Sequence, residues 1–221
     1  MKMTKKRVWI ELGLAAIWVW AALFGVIAFE KAVFPSWSLT LRMLTIIPLQ
    51  WVAAIGPLVL CLIDRTTWEE LGFSKSKIPL QILFGIGLAL LFSLLFTLVP
   101  IWCGGKDLVG TTSYTEAYQF AFVFAQDILG VALAEEFIFR GFFFRRINQL
   151  TDKKWVCILA SSLLFGLAHI YSLNWIQVVV TAFLGALFAL AREKIPHTTT
   201  LSLILAHGIY DALIPLWLFL F

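Results

Sequence analysis

Apolar residues in this chain run on in long unbroken stretches; they do not alternate with polar ones as on a half-buried strand or a surface helix. Seven stretches stand out, at residues 8–29, 43–63, 78–103, 117–144, 155–173, 174–191 and 198–221. Each is near or above the roughly 20 apolar residues a helix needs to cross a hydrocarbon core. The second, third, fifth and sixth contain no Asp, Glu, Lys or Arg. The pattern predicts an all-α, multi-pass transmembrane bundle of about seven spans. The first span is too long for a removable signal peptide and is read as a retained anchor.

Shorter features refine the elements. The link at residues 171–174 is short and uncharged, which predicts a tight antiparallel pair of the fifth and sixth spans. Pro48 and Pro57 are expected to kink the second. Residues 64–77 mix Trp68, Leu71 and Phe73 with Glu69, Glu70 and Lys75, which suits either an interfacial segment or a plain connection. Without a repeat, a low-complexity stretch or a linker, residues 1–221 read as a single integral membrane domain, with a motif-bearing core at 117–221.

Composition sharpens the class. Of 221 residues, 61% are apolar and 14% charged, against about 45–50% and about 25% in ordinary soluble domains. With a mean hydropathy of +0.92, too little polar surface remains to cover a soluble globule. A soluble enzyme, a disordered tail and a nucleic-acid-binding domain are poor fits, and no nucleic-acid partner is expected. Cys61, Cys103 and Cys157 are odd in number and lie in apolar runs, which argues against a disulfide scaffold or a zinc finger.

The net charge of +4 carries orientation. With the amino terminus inside, inner loops hold Lys2, Lys5, Lys6, Arg7, Arg65, Lys75, Lys77, Arg145, Arg146, Lys153, Lys154, Arg192 and Lys194. Outer loops hold only Lys31, Arg42 and Lys106, and Arg140 lies within a span. This alternation follows the positive-inside rule and places the carboxyl terminus outside.

Charged groups at mid-bilayer depth cost roughly 2.5–3.5 kcal/mol on insertion scales, so each needs a reason. Span four carries Asp127, Glu135, Glu136 and Arg140, span five His169, and span seven His207 and Asp211. Glu136 and Arg140 are i,i+4 and expected to pair. Glu135 is rotated by about 100° from its neighbour and points elsewhere. His207 and Asp211 again share a face. Counting rise from the inner flanks puts Glu135, His169 and His207 near mid-membrane, which predicts one polar cavity. Glu11 is expected to snorkel to the inner surface, and Asp127 either faces the cavity or supports a helix contact.

Such a set can activate water. Glu135 beside His169 can deprotonate it for attack on a carbonyl carbon, with His207 and Asp211 around the developing oxyanion and Arg140 fixing Glu136. No serine, cysteine or threonine forms a recognisable nucleophile motif. Zinc is the open variant, because Glu135, His169 and His207 make a two-His, one-carboxylate set.

The series Glu135-Glu136-x-x-x-Arg140, Phe165-x-x-x-His169 and His207-x-x-x-Asp211 resembles the motifs of the CPBP family, which contains type II CAAX prenyl endopeptidases and bacteriocin-processing proteins. The likeness runs from Asp127 to the end and includes Gly185, with Leu71-Gly72-Phe73 as a weaker echo. It implies an intramembrane endopeptidase in which Glu135 and His169 activate water, His207 and Asp211 form the oxyanion site, and Glu136 and Arg140 shape the centre, by a glutamate or a metal mechanism. Asp211 departs from the Asn common in prenyl proteases, so it must be protonated or orient His207. The expected partners are membrane lipid and a prenylated or bacteriocin-like peptide or protein, reached from the cytoplasmic leaflet of a bacterial cytoplasmic membrane. The alternatives are a noncatalytic immunity or peptide-binding protein and, third, a proton-coupled transporter.

Overall fold

The computed structural model describes residues 3–221, so Lys2 lies outside the described residues. Every regular element among them is helical. The main helices are α1 (Lys5–Val33), α2 (Leu39–Ile63), α3 (Ile78–Trp102), α4 (117–148), α5 (Lys154–Leu167), α6 (Trp175–Lys194) and α7 (Thr200–Leu220). Six helical runs are long and apolar enough to cross a membrane, and they coincide with six of the seven expected spans. The exception is α4, continuous in backbone but set apart by its charges.

Local chemistry explains several boundaries. Thr4 caps α1 by accepting from the Arg7 amide, and Asn174 caps α6 by accepting from the Ile176 and Gln177 amides. Leu173 adopts a left-handed conformation just before that cap, so α5 and α6 close into the expected antiparallel pair. In α2 the helix breaks at Trp51, three residues after Pro48, whereas Pro57 is accommodated without a break.

Helix α4 lies at the centre. It is α-helical at Ala117–Gln126, Leu133–Glu136 and Phe144–Asn148, and widens to π-helix at Asp127–Ala132 and Phe137–Phe143. The i→i+5 pattern of a π turn leaves carbonyls short of partners. Donors from other helices take one in each segment. The Trp51 indole donates to the Leu129 carbonyl at 2.9 Å, and Arg192 Nη1 donates to the Arg140 carbonyl at 2.6 Å. Helix α7 packs along α3 and across α4, α5 along α6, and α1 along α2, while α6 and α7 touch little.

The loops sort to two ends. At one end Lys77 meets His197, Glu70 pairs with Arg145 at 2.7 Å, and Lys154 pairs with Glu193 at 3.4 Å. Segment 64–77 is anchored to the start of α7 through Leu71 and Gly72. Thr200 donates its amide to the Gly72 carbonyl and its hydroxyl to that of Leu71, at 2.9 and 2.8 Å. Gly72 has φ +86°, and a Cβ there would stand 2.6 Å from the Thr200 hydroxyl, so both conformation and space require glycine. At the opposite end, aromatic pairs join Tyr114 to Phe120, Phe120 to Phe219 and Trp102 to Phe221.

Three cations expected in loops, Arg7, Arg145 and Arg146, form ion pairs within the fold. Arg146 is fully buried, pairing with Glu11 at 2.8 Å and with Asp64, which also binds Arg7. Glu11 therefore does not snorkel: only 4% exposed, it is held by Arg7 and Arg146 because a paired interior position is open to it. The Glu70–Arg145 pair is partly exposed and contributes less, about 1 kcal/mol at most. The hydrogen bond from Arg145 holds the Glu70 carboxyl below its usual range. A depressed carboxylate stabilises the fold above its unfolded value and loses that contribution as pH falls through the folded value. The gap in thermal unfolding midpoint between wild type and Glu70→Gln in detergent is expected to be constant above about pH 5 and to close on acidification. A gap that widens in acid contradicts this assignment.

Candidate active site

Both glutamates lie on Leu133–Glu136, the short α-helical piece between the two π segments of α4. Glu136 is completely buried, and its Oε1 lies 3.1 Å from Arg140 Nη1, so the i,i+4 pair forms as its spacing predicts. Arg140 is equally buried. Its guanidinium carbon stands 4.1 Å from the centre of the Phe165 ring and 5.8 Å from that of Phe188. In a desolvated site such cation–π contacts are worth up to about 2 kcal/mol. The cradle is made by glycine: a Cβ on Gly185 would meet Arg140 Nη2 at 2.7 Å and the Phe165 ring at 2.8 Å.

From Glu136 the contacts continue to α7. His207 Nδ1 lies 2.9 Å from Glu136 Oε1, and its Nε2 lies 3.1 Å from Asp211 Oδ2 and 3.8 Å from Glu135 Oε2. The imidazole is thus held at both nitrogens by carboxyl groups and donates to both when cationic. The Phe188 ring stacks on it at 5.5 Å and Phe165 meets it edge-on at 5.7 Å. Asp211 is placed to orient His207.

Glu135 Oε2 is buried without a hydrogen-bond partner. The carboxyl lies within electrostatic reach of His169, His207 and Asp211. His169 follows the end of α5. Its Nδ1 is 3.0 Å from the Phe165 carbonyl, which leaves Nε2 as the free edge, and its ring meets Phe165 edge-on and stacks near Tyr171. The expected placement of His169 inside a helix at 155–173 is corrected here, since α5 stops at Leu167 and the residue sits in the turn beyond. Asp127 stands in the first π segment within electrostatic reach of Asp211, His207 and Glu135.

A cavity of about 450 Å³ is lined by His169, His207 and Asp211 together with Phe165, Phe188 and Tyr210, a size typical of small-ligand sites. It faces the end of the bundle that carries residues 103–116 and 168–174, through Leu108, Val109, Asn174 and Gln177. The expected opening lay toward the cation-rich end. There a separate cavity of about 270 Å³ is lined by Gly72, Arg140, Phe144 and Arg192, without His169, His207 or Asp211.

Zinc does not fit the residues as arranged. Among the described residues no group of three or more His, Cys, Asp or Glu could hold a metal ion. Glu135, His169 and His207 are not grouped as a chelate, and His207 has both nitrogens committed to carboxyl groups.

Arg192 escaped the sequence reading, which counted it among loop cations. It lies against the Phe144 ring at 4.3 Å and binds the Arg140 backbone. The signal was present, because Gly185, Phe188, Ala189 and Arg192 form an i, i+3, i+4, i+7 stripe whose first three members are buried.

No curated protein and no solved structure matches the chain. Residues 117–213 match the family model described as type II CAAX prenyl endopeptidase Rce1-like. That segment starts with α4, ends two residues beyond Asp211, and so contains Glu135, Glu136, Arg140, His169, His207 and Asp211. Residues 117–213 are therefore a domain of the Rce1-like type II CAAX prenyl endopeptidase (CPBP) family, a family of intramembrane proteases.

Proposed function

We propose that the chain hydrolyses a peptide bond of a membrane-associated polypeptide by direct attack of water. The observation that carries this reading is a partner-free Glu135 carboxyl beside His207, behind a cavity walled by His169, His207 and Asp211. Glu135 accepts a proton from a water held with the free edge of His169, and the water oxygen bonds to the substrate carbonyl carbon. The carbonyl oxygen, now negative, accepts from Nε2–H of His207, which shares that proton between the oxyanion and Asp211. When the carbon–nitrogen bond breaks, the proton on Glu135 passes to the leaving amine, so that water is divided between the two products. Asp211 keeps a proton on Nε2 of His207, and Glu136 holds Nδ1, so the donor is oriented before substrate arrives. Arg140 offsets the Glu136 charge, which no solvent reaches.

The test is a cleavage screen of the purified protein in lipid nanodiscs against membrane-inserted reporter peptides, prenylated and unprenylated. Wild type is expected to release new amino termini, and His169→Ala to bind the same peptides while losing at least about 100-fold in turnover. Equal turnover by His169→Ala overturns the role given to that residue.

A further inference from the structure

The geometry points to entry of substrate from the non-cytoplasmic side of the membrane, so that the polypeptide cleaved is an exported or outer-leaflet-exposed segment. This inference rests on the hydrolytic reading for its substrate, and on packing alone for the side of entry.

Three observations converge. The cavity is built from the same ends of four elements: Phe96 and Thr97 late in α3, Asn174 and Gln177 at the start of α6, Ile214 late in α7, and Leu108 in the segment that follows α3. These ends belong to the face whose connecting segments, 34–38, 103–116 and 168–174, contain Lys106 as their one Lys or Arg. The opposite face carries the cation-rich loops, which by the positive-inside rule mark the cytoplasm.

Second, the cytoplasmic face gives onto a different space: the cavity of about 270 Å³ there is lined by Gly72, Arg140, Phe144, Arg192 and Thr198 and by none of His169, His207 and Asp211. Gln81, 1% exposed, donates to the Ser74 and Ser76 carbonyls and accepts from the Thr199 hydroxyl, while Thr200 binds the backbone of Leu71 and Gly72. Behind that seam Arg192 and Phe144 lie against each other, and Arg140 fills the space under Phe165. A scissile bond presented from the cytoplasmic leaflet reaches Arg140 and Arg192 and not the two histidines.

Third, the walls fit a polypeptide. Thr97, Asn174, Gln177 and Thr181 offer donors and acceptors for an extended backbone, and Val180 and Leu184 offer apolar surface. No Lys or Arg lines the cavity, whose one acidic side chain is Asp211, so a neutral or basic segment is favoured over an acidic one.

The experiment uses the native, exposed Cys103 as a marker of the cavity end; Cys61 and Cys157 are buried. A membrane-impermeant maleimide is applied to right-side-out and inside-out vesicles containing wild type, Cys103→Ser/Gln177→Cys or Cys103→Ser/Lys153→Cys. Cys103 and the new thiol at 177 are expected to label from the outside only, and the thiol at 153 from the inside only. Labelling of positions 177 and 153 from the same side overturns the inference. Proteoliposomes of sorted orientation are then given a reporter peptide on one side at a time, and cleavage is expected from the Cys103 side with none from the other. Cleavage from the Lys153 side overturns the entry route while leaving hydrolysis intact. One-sided labelling with no cleavage from either side establishes the entry side and removes the hydrolytic reading together with its substrate.

Discussion

Glu135→Gln is expected to lower turnover by about 100- to 10,000-fold, the range in which removal of a general base falls, and to leave the protein folded. The two halves of this expectation have separate causes. Turnover falls because an amide cannot take the proton of the attacking water. Folding survives because Glu135 Oε2 makes no hydrogen bond and the nearest cation-forming group, His207 Nε2, is 3.8 Å away and already bound by Asp211. Removing a buried charge relieves a desolvation cost and breaks no hydrogen bond. Thermal unfolding in detergent, run beside the peptide assay, checks both, with an unchanged or slightly higher midpoint expected. Wild-type turnover in a folded Glu135→Gln protein rules out this residue as the base.

The second large effect concerns stability. Arg140→Leu is expected to cost about 3–5 kcal/mol, because Glu136 then remains charged and fully buried without its counter-ion. Truncation also removes the contact with the Phe165 ring. The double variant Glu136→Met/Arg140→Leu should recover much of that loss, since a buried pair replaced by apolar groups of similar size is often close to neutral. It should not recover activity, because His207 Nδ1 loses the carboxyl that holds it. A double-variant cycle on unfolding midpoints, read with peptide cleavage, separates the two roles. If the single and double variants are equally unstable, the pair is not what holds this region.

Much of this was legible before any coordinates. Unbroken apolar runs were enough to place six spans, and charges inside them were enough to single out Glu135, Glu136, Arg140, His169, His207 and Asp211. Helical spacing reported Glu136–Arg140 and His207–Asp211, both within single helices. It said nothing of Glu136–His207, a contact across 71 residues of chain. Depth counting took His169 to be inside a straight helix, which failed because α5 ends at Leu167. Arg146 and Arg192 were misread for a shared reason: a cation near a helix end was assigned to solvent, although each prolongs a buried stripe, at 139, 142, 143 and 146 in one helix and 185, 188, 189 and 192 in the other.

The widened turns of α4 have a consequence for how its two ends relate. Each π segment shifts the angular phase of everything beyond it, so the glutamates on 133–136 and the arginine at 146 take their headings from different stretches of backbone. Drawing Phe137–Phe143 into ordinary α-helix with all its residues kept would swing the far end by about 100°, pulling Arg146 away from Glu11 and Asp64 while the glutamates stay where they are. The helix behaves as a two-stage vernier: one setting aims the carboxylates, the other anchors the helix to α1, and either can drift in evolution without resetting the other.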